Sequence, residues 1–110
     1  MIGNDGTLDG RKVLSADTLD LIWNVQSHGP DRVLVLPLKF GIGYGLPEPS
    51  TLPYVPDGEV CFWGGYGGSM IVMDRERRMT VAYMMNKMEP GIIGGLRSAA
   101  ILSACFRAVA

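Results

Sequence analysis

Residues 58 to 88 read Gly-Glu-Val-Cys-Phe-Trp-Gly-Gly-Tyr-Gly-Gly-Ser-Met-Ile-Val-Met-Asp-Arg-Glu-Arg-Arg-Met-Thr-Val-Ala-Tyr-Met-Met-Asn-Lys-Met. Three short apolar runs stand out, at 59–63, 69–73 and 79–85. Each has the length of a strand, and glycines or charged residues separate it from the next. The stretch therefore predicts three adjacent antiparallel strands with one glycine-lined bend.

The bend contains four glycines in the five positions from Gly64 to Gly68. Glycine is used where another group must approach the backbone closely, and also where the chain needs a positive φ. The residues alone leave both interpretations open. The cluster is either a bare backbone surface for a ligand, or a bulge or sharp bend with no ligand.

Several segments, taken in order, resemble the serine β-lactamase and penicillin-recognising family. Trp63-Gly64-Gly65 is similar to the triplet that replaces Lys-Thr-Gly in the esterase-like branch of that family. The segment 5–15, Asp-Gly-Thr-Leu-Asp-Gly-Arg-Lys-Val-Leu-Ser, resembles the lead into a helix that precedes this strand in the family, which begins Gly-x-Leu-x-Gly and ends Leu-Ser. The resemblance covers most of the chain.

The resemblance implies a role for each residue of the glycine-rich strand. Trp63, Gly64 and Gly65 would line the substrate cleft, with the two glycines letting substrate lie against the backbone. The backbone N–H of Tyr66 would donate to the oxyanion of the reaction, which is the one catalytic group assigned to this chain. An indole at position 63 offers an apolar wall where a lysine would bind an anion, and this favours neutral esters as substrates.

The nucleophile of this family is missing. Its signature requires a serine followed three positions later by a lysine, together with a second polar motif. The residues three positions before the three lysines are Asp9, Leu36 and Met84. No Tyr-x-Asn or Ser-x-Asn occurs, and Ser69 is expected to be an ordinary strand residue. We expect residues 1–110 to be the C-terminal portion of one hydrolase domain, inactive in isolation.

Two other functions stay open on the sequence alone. The chain could be a stand-alone α+β module that binds a partner chain through its sheet, with no catalytic role. It could also be a small α+β protein with no ligand. A fragment lacking the family's other strands and helices would leave apolar surface and a sheet edge uncovered, so we expect the isolated chain to self-associate.

The composition narrows the possible partners. The chain has 110 residues, 47% hydrophobic and 19% charged, with a net charge of −1, which is typical of one globular domain. No block of like charge or long apolar stretch points to nucleic acid or membrane, and Arg75, Arg77 and Arg78 are expected to be solvated. We predict no cofactor and no metal, and the lack of a signal peptide favours the cytoplasm. Cys61 and Cys105 are expected to be buried thiols.

The remaining segments complete the predicted α+β fold, an antiparallel sheet with N-terminal and C-terminal helices packed on it. It would resemble the C-terminal part of the β-lactamase-like α/β domain. Ser15 caps a helix that extends to Gln26 or Ser27, with His28 in the following loop. Further predicted elements are strands at 32–38 and 39–46, a proline-rich loop at 47–57 and a helix at 92–109 that is buried on more than one side.

Overall fold

The fold is built on one six-stranded antiparallel sheet, which carries a helix on each face. The computed structural model describes residues 1–110. The elements are strands β1 (Thr7–Leu8), β2 (Arg11–Lys12), β3 (Ser27–Pro30), β4 (Pro37–Phe40), β5 (Gly45–Leu46), β6 (Val60–Gly64), β7 (Met70–Asp74) and β8 (Met79–Tyr83), and helices α1 (Ala16–Asp20) and α2 (Leu96–Ala108). Strands β3 to β8 are neighbours in chain order, and β1–β2 form a separate hairpin.

The three strands predicted between residues 59 and 85 are confirmed. β6 pairs with β7 from Val60 opposite Asp74 to Gly64 opposite Met70, and β7 pairs in turn with β8. Ser69 lies directly before β7. The fold class predicted from the sequence, α+β with helices on an antiparallel sheet, is also confirmed.

One face of this meander is buried under α2. Side chains alternate along a strand, so Val60, Phe62 and Val72 share a face, and all three are buried in one cluster with Leu102 of α2. The proline-rich loop adds Leu52 and Val55 to the same cluster. These contacts form the larger of the two cores.

The other face is covered by α1 and the turn after it. The Ser15 hydroxyl caps α1 as predicted, accepting from the Thr18 N–H at 3.2 Å. The helix does not continue to Gln26, because residues 21–23 tighten into a 3-10 turn. There the indole N–H of Trp23 donates to the Val60 carbonyl at 3.1 Å, which ties the turn to β6.

The predicted strand at 32–38 is wrong. Residues 31–36 form a turn in which the Asp31 carboxylate accepts from the Val33 and Leu34 N–H groups at 2.8 and 2.7 Å. The chain before the turn forms β3, so His28 is a strand residue and not a loop residue. The second predicted strand, 39–46, is interrupted at 41–44 and contributes to both β4 and β5.

Helix α2 is also less buried than its composition indicates. Only Ser98 and Leu102 are buried, and Leu96 is 87% exposed. The expectation of burial on several sides is wrong for this chain because residues 1–110 supply no element to pack on the outer face of the helix. Neither helix is long and apolar enough to cross a membrane.

The charged turn between β7 and β8 is not simply solvated. Arg75 forms ion pairs with Asp5 at 2.8 Å, Asp20 at 2.6 Å and Glu59 at 3.4 Å. Arg77 pairs at 2.8 Å with Asp74, which is fully buried. The turn therefore fastens the N-terminal segment to the sheet.

Both cysteines are free thiols. Cys61 lies on β6 and is fully buried on the face that α1 covers, and burial raises the pKa of its thiol to about 12. Cys105 on α2 is only partly buried. The expectation of two buried thiols therefore holds fully for Cys61 alone.

Candidate active-site strand and adjoining cavity

The glycine-rich end of β6 has an open edge. On one side β6 pairs with β7 over all five of its residues, whereas on the other side β5 meets it only at Gly45 opposite Phe62. Residues 63–65 therefore run past the end of β5. Their backbone is exposed along the edge that β5 does not reach.

This open edge leads to the backbone N–H of Tyr66. The preceding residue, Gly65, donates its N–H to the Ser69 carbonyl at 3.1 Å, on the β7 side. No protein group accepts a hydrogen bond from the Tyr66 N–H. This N–H is therefore available as a donor, while its role in an oxyanion hole stays a prediction.

The glycines of the bend serve different purposes. Gly67 and Gly68 have φ values of 103° and 108°, which favour glycine, and Gly67 exchanges hydrogen bonds with the segment 89–91. A Cβ on Gly64 would lie 3.3 Å from the backbone of residues 93 and 94. A Cβ on Gly65 would meet only the Ser69 hydroxyl, at 2.8 Å. A bend therefore explains Gly67 and Gly68. Gly64 packs against residues 93 and 94 and also lines the two apolar spaces beside Trp63, while Gly65 has the most open side.

Trp63 lies between two apolar spaces and is 51% exposed. On one side its ring centroid is 6.2 Å from that of Phe40. On the other side it stands in a row across the sheet with Ile71 and Ala82, and this end of the row is open to solvent. An exposed tryptophan between two apolar surfaces fits a binding wall better than core packing.

A partly open cavity of about 130 Å³ adjoins Trp63 and Gly64. It is lined by Leu34, Phe40, Phe62, Trp63, Gly64, Ile92 and Ile93. None of these side chains is charged. The sequence did not predict that Leu34, Phe40, Ile92 and Ile93 line this site. It placed the first two in strands and the other two in the C-terminal helix, and no local pattern indicates that these segments contact one another.

A shallower space of about 410 Å³ lies on the other side of Trp63. It is bounded by the open row of the sheet, and Met84 at its rim is 79% exposed. The two spaces together give the glycine-rich strand apolar surroundings on both sides.

No activated nucleophile accompanies this strand. The Ser69 hydroxyl forms no hydrogen bond to a histidine, lysine or carboxylate. The one histidine, His28, lies on β3 and contacts Glu48 at 2.5 Å. The Ser50 hydroxyl also donates to Glu48, at 2.7 Å. The hydrogen bond from Ser50, and to a smaller extent the one from His28, lowers the pKa of the Glu48 carboxyl. Because Ser50 bonds to the carboxylate and not to the imidazole, the trio does not activate a serine.

A polar cavity of about 740 Å³ surrounds Arg75 and the three carboxylates that pair with it, those of Asp5, Asp20 and Glu59. The Arg75 guanidinium holds the pKa of the Asp5 carboxyl below its usual range. Arg75 pairs with all three carboxylates, whereas Glu76 accepts from the Glu59 N–H and Arg78 donates to the Asn4 side chain. No serine or cysteine lines the space. No three histidine, cysteine, aspartate or glutamate side chains meet in an arrangement that could hold a metal ion.

The antiparallel sheet, the helix on each face and the Trp-Gly-Gly strand β6 together define the class of proteins built on the penicillin-recognising fold. A beta-lactamase family model matches residues 2–105, and the chain belongs to this family. The family assignment made from the ordered motifs is therefore confirmed.

Two solved structures show the same fold. A penicillin-binding protein homologue from Caulobacter crescentus is 31% identical with a TM-score of 0.87, and a family VIII carboxylesterase is 26% identical with a TM-score of 0.85. In both comparisons 96% of this chain is matched, and the chain spans 28% of the other protein's length. A comparison with curated proteins found no match.

Proposed function

We propose that this chain forms one wall of the active-site cleft of a serine hydrolase that cleaves carboxylic esters or related acyl compounds. Trp63, Gly64 and Gly65 contact the substrate, and the Tyr66 N–H donates to the oxyanion. The nucleophile and its base come from residues outside 1–110, since no Ser-x-x-Lys occurs here. The observation that carries the proposal is the open edge of β6, which leads to a backbone N–H without a protein acceptor.

The geometry suits acyl transfer because negative charge develops on the carbonyl oxygen in the transition state. A fixed N–H aimed at that oxygen stabilises the charge, and losing one such donor costs roughly 100- to 1,000-fold in kcat. The cavity beside Trp63 has no charged side chain. This supports a neutral ester over an anionic β-lactam as the substrate.

A chimera tests the proposal. Residues 1–110 replace the matching 28% of the family VIII carboxylesterase, and the rest of that chain is kept to supply the nucleophile and base that the proposal requires. We expect the folded chimera to hydrolyse a short-chain aryl ester, whereas the 110-residue chain alone gives no product above background. An inert chimera with native-like circular dichroism contradicts the proposal. So does a burst of product from the chain alone that Ser69→Ala abolishes.

A stand-alone interaction module is the second candidate, and the open apolar row of the sheet favours it. Trp63, Ile71, Ala82 and Met84 form a surface that a partner chain could cover. In that case the chimera would be inert, and a partner would protect Met84 from solvent. Hydrolysis by the chimera excludes this candidate as the sole function.

A further inference from the structure

The cavity beside Trp63 is walled by three segments that are far apart in the chain. Leu34 and Phe40 come from the β3–β4 turn and the end of β4, Phe62 to Gly64 come from β6, and Ile92 and Ile93 come from the connection before α2. The cavity adjoins the open edge of β6 through Trp63 and Gly64, which also bound the open space on the other side. A ligand lying along that edge can therefore place one group inside the cavity.

Hydrogen bonds hold two of these walls in place. The Leu34 N–H donates to Asp31 at 2.7 Å, and the Asp31 N–H donates to the Leu36 carbonyl at 2.9 Å, which closes the turn around Leu34. The segment before Ile92 is fixed by the Gly67 N–H, which donates to the Gly91 carbonyl at 3.1 Å. The cavity thus has a defined shape before any ligand enters it.

The size and lining of the cavity define what it can hold. Its volume is about 130 Å³ and its lining side chains are aliphatic or aromatic. An apolar cavity of about 150 Å³ in a protein core stays dry and holds a benzene molecule, so this one holds about four to six carbon atoms. No lining side chain offers a charge to bind an anion.

We infer that the cavity binds a short alkyl group of the ligand, about four to six carbons long, and that Leu34 sets the length it accepts. That the ligand is an ester rests on the proposed function. The alkyl group belongs to either the acyl or the alcohol side of the ester, and the shared chemistry is a short hydrocarbon chain. Leu34 is the wall suited to a test, since it lies on a turn outside both buried cores.

The test is a binding titration of the 110-residue chain with alkyl acetates from ethyl to octyl, followed by NMR at the Trp63 indole and the Ile93 methyl groups. Each methylene that enters the cavity should tighten binding about fourfold, since burying one CH₂ contributes a nearly constant free energy. Affinity should stop rising once the cavity is full. A gain that continues to octyl acetate, or no saturable shift at either residue, overturns the inference.

Substitutions on the β3–β4 turn provide the matched control. Leu34→Phe should fill the cavity and weaken butyl acetate binding at least fivefold, whereas Val33→Phe adds the same ring to a neighbouring residue that is 85% exposed and should have no effect. Leu34→Ala should shift the affinity limit to a longer alkyl group. Equal effects of the two phenylalanine variants, or an unchanged limit in Leu34→Ala, contradict the assignment.

Isomeric esters distinguish the two sources of the alkyl group. Butyl acetate and ethyl butanoate carry their four-carbon chains on opposite sides of the ester, and nuclear Overhauser effects to Ile93 identify which chain enters the cavity. Binding requires no nucleophile. If the chain binds these esters while the chimera fails to hydrolyse them, the cavity assignment stands and the hydrolase proposal fails. If the chimera hydrolyses them but the chain shows no saturable binding, the hydrolase proposal stands and the cavity assignment fails.

Discussion

The two faces of the β6–β8 meander differ in how much of each this chain covers itself. On one face, Phe62 and Val72 lie buried under Leu102 of α2. On the other face, α1 covers the end near Cys61 and Met73, while the end at Trp63 and Ile71 is open. The covered regions supply the stability of the fold, and the candidate active-site strand lies at the boundary of the open region. The chain thus forms its own hydrophobic core but leaves the candidate active-site strand partly uncovered.

Thiol labelling gives the largest expected contrast. Burial raises the pKa of Cys61 to about 12, so at pH 8 only about one thiol in ten thousand is ionised and reactive. Labelling of Cys61 by iodoacetamide should be slowed more than about a thousandfold relative to the denatured chain. The measurement is mass spectrometry of labelled peptides over time.

The partly buried Cys105 serves as the internal comparison in the same experiment. It should label first, and Cys105→Ser should remove the fast phase. Equal labelling rates of the two thiols in the native chain would show that the α1-covered end of the sheet is open as well.

Truncations on α2 test the covered face. Leu102→Ala should lower the free energy of unfolding by about 2–5 kcal/mol, because it removes a fully buried side chain from the larger core. Its neighbour Ile101 is 41% exposed, so Ile101→Ala should cost about 1 kcal/mol or less. Urea unfolding measures both, and similar losses would mean that α2 is not seated through Leu102.

Self-association tests the open face. At about 25 cal/mol per Å², a few hundred Å² of exposed apolar surface can drive association, so the chain should dimerise or aggregate at micromolar concentration. Met84→Lys should weaken association by about tenfold or more, since burying a methionine contributes about 1.5–3 kcal/mol. Val33→Lys, with the same charge change on the β3–β4 turn, should leave it unchanged. Sedimentation measures both variants, and a monodisperse, cooperatively melting monomer would favour the stand-alone module.

The meander was predictable from sequence because its signals are local. Strand-length apolar runs, the glycines of the bend and the Ser15 cap each act within a few residues, and all appear as expected. The order of the motifs, from the 5–15 segment to Trp63-Gly64-Gly65, also identified the family correctly.

The rest of the sheet depends on distant partners. β3 exists because β4 pairs with it, and Asp31 bends the apolar residues between them into a turn. The Arg75 ion pairs join residues as far apart as 5 and 75. The cavity combines three segments that are distant in the chain, and the hydrophobic periodicity of a single sequence does not report contacts between distant segments. Sequence therefore located the strand of the candidate site but not the walls around it.

The most direct test of the cleft-wall proposal removes the Tyr66 N–H alone. Tyr66 is not among the residues with positive φ, which proline cannot adopt, and Tyr66→Pro deletes the N–H donor. Tyr66→Phe keeps the N–H and removes only the hydroxyl. In the chimera, we expect Tyr66→Pro to lower kcat by roughly 100- to 1,000-fold with KM little changed, and Tyr66→Phe to leave kcat near that of the parent. Equal kcat values for Tyr66→Pro and Tyr66→Phe, in folded chimeras, would contradict the assignment of this N–H to the oxyanion.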